Sequence, residues 1–127
     1  MSEQGVERRW LLFRRGDHSY AIEAVSVRCV LPSPRVSPFA SERPALRGLI
    51  AHLGKLHALV EPSEQPGSSA DASCAVAVIT RAEDGDLAFA ADFVAGFASD
   101  VGEATLLDPR AAERRVREGL RTVTRPR

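Results

Sequence analysis

Apolar residues in this chain come in short runs broken by Gly, Pro and charged residues, a pattern that favours strands over long helices. Trp10 to Phe13 is apolar and β-prone, Gly16-Asp17 interrupts it, and Tyr20-Ala21-Ile22 resumes it, which predicts two strands joined by a turn. "VSVRCVL" continues in an extended or one-turn form. "PSPRVSP" reads as a connecting loop, because its prolines remove donors and push their predecessors toward extended geometry. "CAVAVIT" reads as a buried strand and "RAEDGD" as a turn. "LAFAADFVAGFA" is one long or two short strands with a bulge at Gly96.

Residues 45–62, "ALRGLIAHLGKLHALVEP", fit two periods. On a helix Leu46, Leu49, Ile50, Leu53, His57 and Val60 would share a face, but Gly48 and Gly54 would each cost about 1 kcal/mol there. On a hairpin, Gly54-Lys55 supplies a Gly-X pair for a type II′ turn between strands 48–53 and 56–60. Leu53 would then face Leu56, and His52 would face His57. The hairpin is the preferred reading.

One helix is expected, over residues 109–121. Asp108 is a suitable N-cap, Pro109 suits the first helical position, and Ala112, Val116 and Leu120 recur along one face. Glu113 with Arg117, and Arg114 with Glu118, have the spacing of helical ion pairs. Residues 122–127 are expected to form a tail. The sum is a mainly β protein, a small antiparallel barrel or sandwich with a helix packed on it.

Composition narrows the function. An apolar fraction of 44% in 127 residues suits a single globular unit, and no run is long enough to span a bilayer. With no secretory leader evident at the first apolar stretch, a cytoplasmic protein is expected. Residues 1–60 carry nine Arg/Lys against five acids, 61–104 one against nine, and 105–127 seven against three. A nucleic-acid binder would keep a basic excess over the whole domain, whereas segregated signs suit docking onto proteins.

Candidate chemistry is sparse. There is no Gly-x-Ser-x-Gly elbow and no glycine-rich phosphate loop, and Glu83-Asp84-Gly85-Asp86 lacks the spacing of a calcium loop. Cys29 and Cys74 sit in strand-like surroundings and read as free thiols in the core. His52 and His57 could share a metal, yet zinc wants at least three protein ligands. A solvent-facing pair is the simpler reading, and no cofactor or metal is expected.

In order and spacing the pieces resemble the CheW-like domain, the coupling protein of bacterial chemosensory arrays. "FRRGDHSYAIEAVSVRCV" resembles the family's opening hairpin and Val-x-x-Val segment. "LRGLIAHLGKLHALVEP" resembles its central hairpin, with Gly48, Ile50, Gly54, Val60 and Glu61 in place. "LAFAADFVAGF" resembles its Val-Asp-x-V strand pair through Asp92 and Val94, and "TLLDP" its closing Leu-Leu-Asp-Pro. Three departures stand out. Leu53 replaces an arginine often implicated in receptor contact, Cys29 an acidic residue, and only residues 98–104 bridge a stretch where the family has 25 or more.

The resemblance implies a CheW-like pair of small SH3-like β-barrels over residues 8–110, the second incomplete, with a C-terminal helix. The first lobe would cover about 14–62, a loop 61–73, and the remaining strands 74–108. It implies a non-catalytic adaptor, with a chemoreceptor cytoplasmic tip, a CheA-type histidine kinase or another CheW-like protein as partners, and neither nucleic acid nor membrane insertion. Short homologues of this sort accompany accessory pathways, including the Frz system of gliding bacteria. The expected contact residues are Val27 and Cys29 on one wall of a groove, Leu49, Leu53 and Leu56 on the hairpin, and Phe93 and Phe97 on the second lobe. Two alternatives accompany this reading: a truncated spacer or competitor that holds an adaptor position without recruiting kinase, and a small metal- or ligand-binding barrel.

Overall fold

The structure, a computed structural model, describes residues 8–38, 46–63, 74–83 and 85–124, with helix side chains described through Glu118. Most of the loop expected over 61–73, Asp84 of the acidic turn, the Leu120 side chain and residues 125–127 lie outside these. The described residues form ten strands and one helix: β1 (Trp10–Arg15), β2 (His18–Glu23), β3 (Val27–Pro32), β4 (Val36–Pro38), β5 (Leu46–His52), β6 (Lys55–Val60), β7 (Val76–Arg81), β8 (Asp86–Ala91), β9 (Phe93–Ala98), β10 (Thr105–Leu106) and α1 (Pro109–Thr124). A single 3-10 turn, Ala24–Ser26, separates β2 from β3.

The strands form two sheets, one ordered β10-β2-β1-β9 and the other β3-β7-β8-β6-β5-β4. Each sheet draws strands from both 14–62 and 74–108. The six-stranded sheet is strongly curled. Its outermost strands β3 and β4 are consecutive in the chain, joined only through residues 33–35. Pro32 to Val36 can span at most about 14 Å, whereas the edges of a flat six-stranded sheet would lie roughly 24 Å apart. The sheet therefore bends most of the way to a barrel. The four-stranded sheet is the incomplete partner.

Two apolar clusters follow from this arrangement. Ile50, Leu59, Ala77, Ile79, Ala88 and Ala90 fill the inside of the curled sheet, with Cys29, Leu31, Val36 and Cys74 against them. Leu11, Phe13, Tyr20, Ile22, Leu46, Val60, Val78, Leu87 and Phe89 lie between the sheets, joined by Ala112 and Val116 of α1. Both sides of β7 and β8 are thus covered, which is why their sequences are continuously apolar rather than alternating. Each large side chain fully buried here contributes about 1.5–3 kcal/mol.

Local sequence explains most of the elements. Gly16 has φ 62° and opens the two-residue β1–β2 turn. Asp108 accepts a hydrogen bond from the Arg110 amide at 3.1 Å, the N-cap contact expected from the sequence. The helix runs to Thr124, past the expected 121. Of the two expected ion pairs on it, Glu113–Arg117 forms at 3.6 Å, while Arg114 reaches Glu83 at 3.6 Å.

Two expectations need correction. "PSPRVSP" is not all loop: Val36–Pro38 is a strand paired with β5. It lies at the sheet's edge, where a proline removes no ladder bond that a neighbour needs. The second concerns the central hairpin. It forms, but its turn is Leu53-Gly54 rather than Gly54-Lys55. Both turn residues have positive φ, 53° and 79°, as a type I′ turn requires. His52 consequently pairs with Lys55, Ala51 with Leu56, and Ile50 with His57. The expected Leu53–Leu56 and His52–His57 pairs do not exist.

Candidate docking surface and the charged clasp beneath it

Glu61 follows β6 directly and is only 5% exposed. Burying a carboxylate is costly unless it is paired and hydrogen-bonded. Arg15 at the end of β1 supplies a two-pronged contact, Nε to Oε1 at 2.8 Å and a terminal nitrogen to Oε2 at 2.6 Å. Arg47 of β5 donates from Nε to Oε2 at 2.9 Å. The same Arg15 guanidinium reaches Asp92 Oδ1 at 2.8 Å, and the Gly16 amide donates to Asp92 Oδ2 at 2.7 Å. One guanidinium thus ties the β1–β2 turn to the β8–β9 corner and to the end of β6, clasping the two sheets together.

The pKa directions agree with this geometry. Burial alone would push the Glu61 carboxyl up, but hydrogen bonds and charge from Arg15 and Arg47 outweigh it and hold it below the ordinary value. Arg15 is held charged above its usual range, first through its hydrogen bond with Glu61. Glu61 and Asp92 are two of the positions that carry the sequence resemblance, and their roles here are structural. Their arginine partners gave no signal in the sequence, since Arg15 and Arg47 lie far from both acids along the chain.

The central hairpin presents two strongly exposed leucines. Leu53, at the tip, is 86% exposed and Leu56 70%. Ala51 and Leu56 are cross-strand partners, and Leu49, two residues before Ala51, shares their face while remaining half-buried. Leu49 and Leu56 therefore share one side of the hairpin, and Leu53 stands exposed at its tip.

The remaining expected contact residues are dispersed. β3 is bulged between Val27 and Cys29, so the two point to opposite sides of the curled sheet. Val27 packs toward the cluster between the sheets and Cys29 toward the interior cluster. Phe93 pairs with Arg14 and Phe97 with Leu11, which occupy opposite faces of β1. The bulge at Ala95, with Gly96 at φ 123°, is what separates the two phenylalanines. Both are more than half exposed. Phe93 shares the outer face of the four-stranded sheet with Leu12 and Arg14. Beside it, Leu12, Arg14, Ser19 and Ala95 together with Val101, Glu103 and Ala104 line an open hollow of about 440 Å³. The 99–104 bridge is thus the cover over this face.

Chemistry at the histidines is limited. His18 stacks on Tyr20, with ring centroids 6.4 Å apart, away from the other two. His57 is 6% exposed, not solvent-facing, and burial pushes its pKa down. His52 Nε2 lies 3.5 Å from Cys29 Sγ. Among the described residues no three His, Cys, Asp or Glu side chains are grouped closely enough to hold a metal ion. Nor does any described helix have the length and apolarity to cross a membrane.

Comparison with known proteins was made on sequence and on fold. No curated protein matches the sequence. The fold is similar to that of the scaffolding protein TtCheW from Thermoanaerobacter tengcongensis, with a TM-score of 0.60 at 14% identity over 73% of this chain. This chain spans 65% of that protein's chain, less than two thirds of it. At this identity the likeness speaks for the fold alone: mainly β, two sheets and a C-terminal helix. The sequence itself matches the CheW-like domain over residues 9–125, almost its whole length, and the chain belongs to the CheW-like domain family.

Proposed function

We propose that this protein is a non-catalytic adaptor of a bacterial chemosensory system, docking onto a chemoreceptor cytoplasmic tip and onto a CheA-type kinase or another CheW-like protein. The observation that carries this is the hairpin tip. A leucine occupies the left-handed turn position that Asn or Gly would fill without strain, and it is 86% exposed beside a second exposed leucine. A bulky side chain held in that conformation and turned to water has no role in the fold, and strained exposed positions accumulate where partners bind. An apolar hairpin tip suits the apolar face of a helix. Leu49, Leu53 and Leu56 form the proposed contact. Val27 and Cys29 support it from the curled sheet rather than forming a common wall, and Phe93 and Phe97 belong to a separate surface on the four-stranded sheet.

Reconstitution tests this reading. Added to receptor signalling tips and kinase, the protein should change kinase activity in a receptor-dependent way, and Leu53→Asp with Leu56→Asp should abolish that effect. No effect of the unaltered protein at saturating concentration would contradict the proposal.

One observation favours a spacer or competitor over a full coupler. β9 and β10 are joined through residues 99–104 only, and the four-stranded sheet stays open. In the same reconstitution a coupler raises receptor control of the kinase, while a competitor lowers it when titrated against a full-length adaptor.

A further inference from the structure

Cys29 and His52 meet where the curled sheet comes closest to closing. Their strands, β3 and β5, are separated in the sheet by β7, β8 and β6, yet Sγ and Nε2 are 3.5 Å apart. No ladder joins β3 to β5 directly. His57 lies on the same face as His52, because it pairs with Ile50, two residues from His52. Its ring is 6% exposed. Cys29 is partly exposed. A partly exposed cysteine with an imidazole in hydrogen-bond contact has the parts of a nucleophile–base pair.

We propose that Cys29, His52 and His57 form a thiol-exchange site for low-molecular-weight disulfides, and that the adduct moves the leucine-bearing hairpin tip. His52 Nε2 accepts the Cys29 proton, and the thiolate attacks one sulfur of RS–SR. That S–S bond breaks as the Cys29 S–S bond forms, and the departing RS⁻ takes the proton back from His52. The net change is Cys29–SH + RSSR → Cys29–S–SR + RSH, with no other oxidant. Burial pushes the pKa of the neighbouring His57 down. The charged groups that act on His57 are Asp86 on β8, Lys55 on the hairpin and Arg28 on β3, Arg28 and Asp86 being paired at 2.7 Å. An adduct on Cys29 replaces the Sγ–Nε2 contact through which β3 touches β5 here. His52 immediately precedes the Leu53-Gly54 turn and carries the tip with it. This last step rests on the docking role proposed above; the exchange chemistry does not.

Cys74 serves as an internal control, since burial pushes its thiol pKa up. The full chain is incubated with oxidised glutathione, and adducts at each cysteine are followed by mass spectrometry with time. Cys29 should react at least about tenfold faster than Cys74. His52→Gln should remove most of that advantage while leaving Cys74 and the circular dichroism spectrum unchanged. Equal rates at the two cysteines, or an unchanged Cys29 rate in His52→Gln, would overturn the site. For the coupling, the Cys29 adduct should bind a receptor tip more weakly than the reduced protein. Equal binding by the two would overturn the coupling, and no binding by the reduced protein would count against the docking role while leaving the exchange chemistry standing.

Discussion

Leu53 and Glu61 show how single residues divide their work between stability and function. A left-handed backbone costs an L-residue with a Cβ about 1–2 kcal/mol, less for Asn, whose side chain bonds locally. Leu53→Asn keeps the turn and relieves the strain. It should raise unfolding free energy by about 0.5–1 kcal/mol in urea titration, and it should weaken binding to a receptor tip. A gain in stability with loss of binding marks a residue kept for contact. Glu61 is the reverse case. Glu61→Gln removes the carboxylate that Arg15 and Arg47 share, Arg15 keeping Asp92, and should cost about 3 kcal/mol. The pH dependence follows from the sign of the shift. The folded pKa of Glu61 lies below its unfolded value of 4.5, so its contribution is complete above that pH and is lost as pH falls through the folded pKa. Unfolding curves from pH 6 to 3 should show a steeper loss for the unaltered protein than for Glu61→Gln.

At the scale of elements, turns and caps were readable because they depend on neighbours in the chain. The Gly16-Asp17 turn, the bulge near Gly96 and the Asp108 cap all follow from local backbone chemistry. Asp108→Ala should lower stability by about 1 kcal/mol with loss of helical signal in circular dichroism. The central hairpin was legible as a hairpin, but its register was not. Gly54 suits either the first position of a type II′ turn or the second of a type I′ turn, and Leu53 argues against the latter on propensity. The inner cluster decides it, since the type I′ register turns Ile50, His57 and Leu59 toward the interior. Slipping the pairing would expose part of that set. β4 was missed for a related reason: proline argues against a strand, except at an edge that sequence alone does not reveal.

Across the whole molecule, what sequence could not supply was long-range pairing. Trp10 lies opposite Ala98 and Thr105 beside Tyr20, so the ends of the chain build one sheet and its middle the other. The Arg15–Glu61–Arg47–Asp92 clasp is invisible before those strands are placed. The mainly β class, the terminal helix and the family were legible from order and spacing. The dispersal of Val27 from Cys29 and of Phe93 from Phe97 was not, because each pair is split by a bulge that reverses side-chain direction. What remains together is the leucine hairpin, standing on the nearly closed sheet. The most direct test of its role is a calorimetric titration of the purified protein with a soluble receptor signalling tip. The unaltered protein should bind with micromolar affinity, and Leu53→Asp with Leu56→Asp should weaken binding by about 100-fold, near 2.7 kcal/mol, with an unchanged circular dichroism spectrum. Absence of binding by the unaltered protein, or equal affinity of the two, would contradict the account.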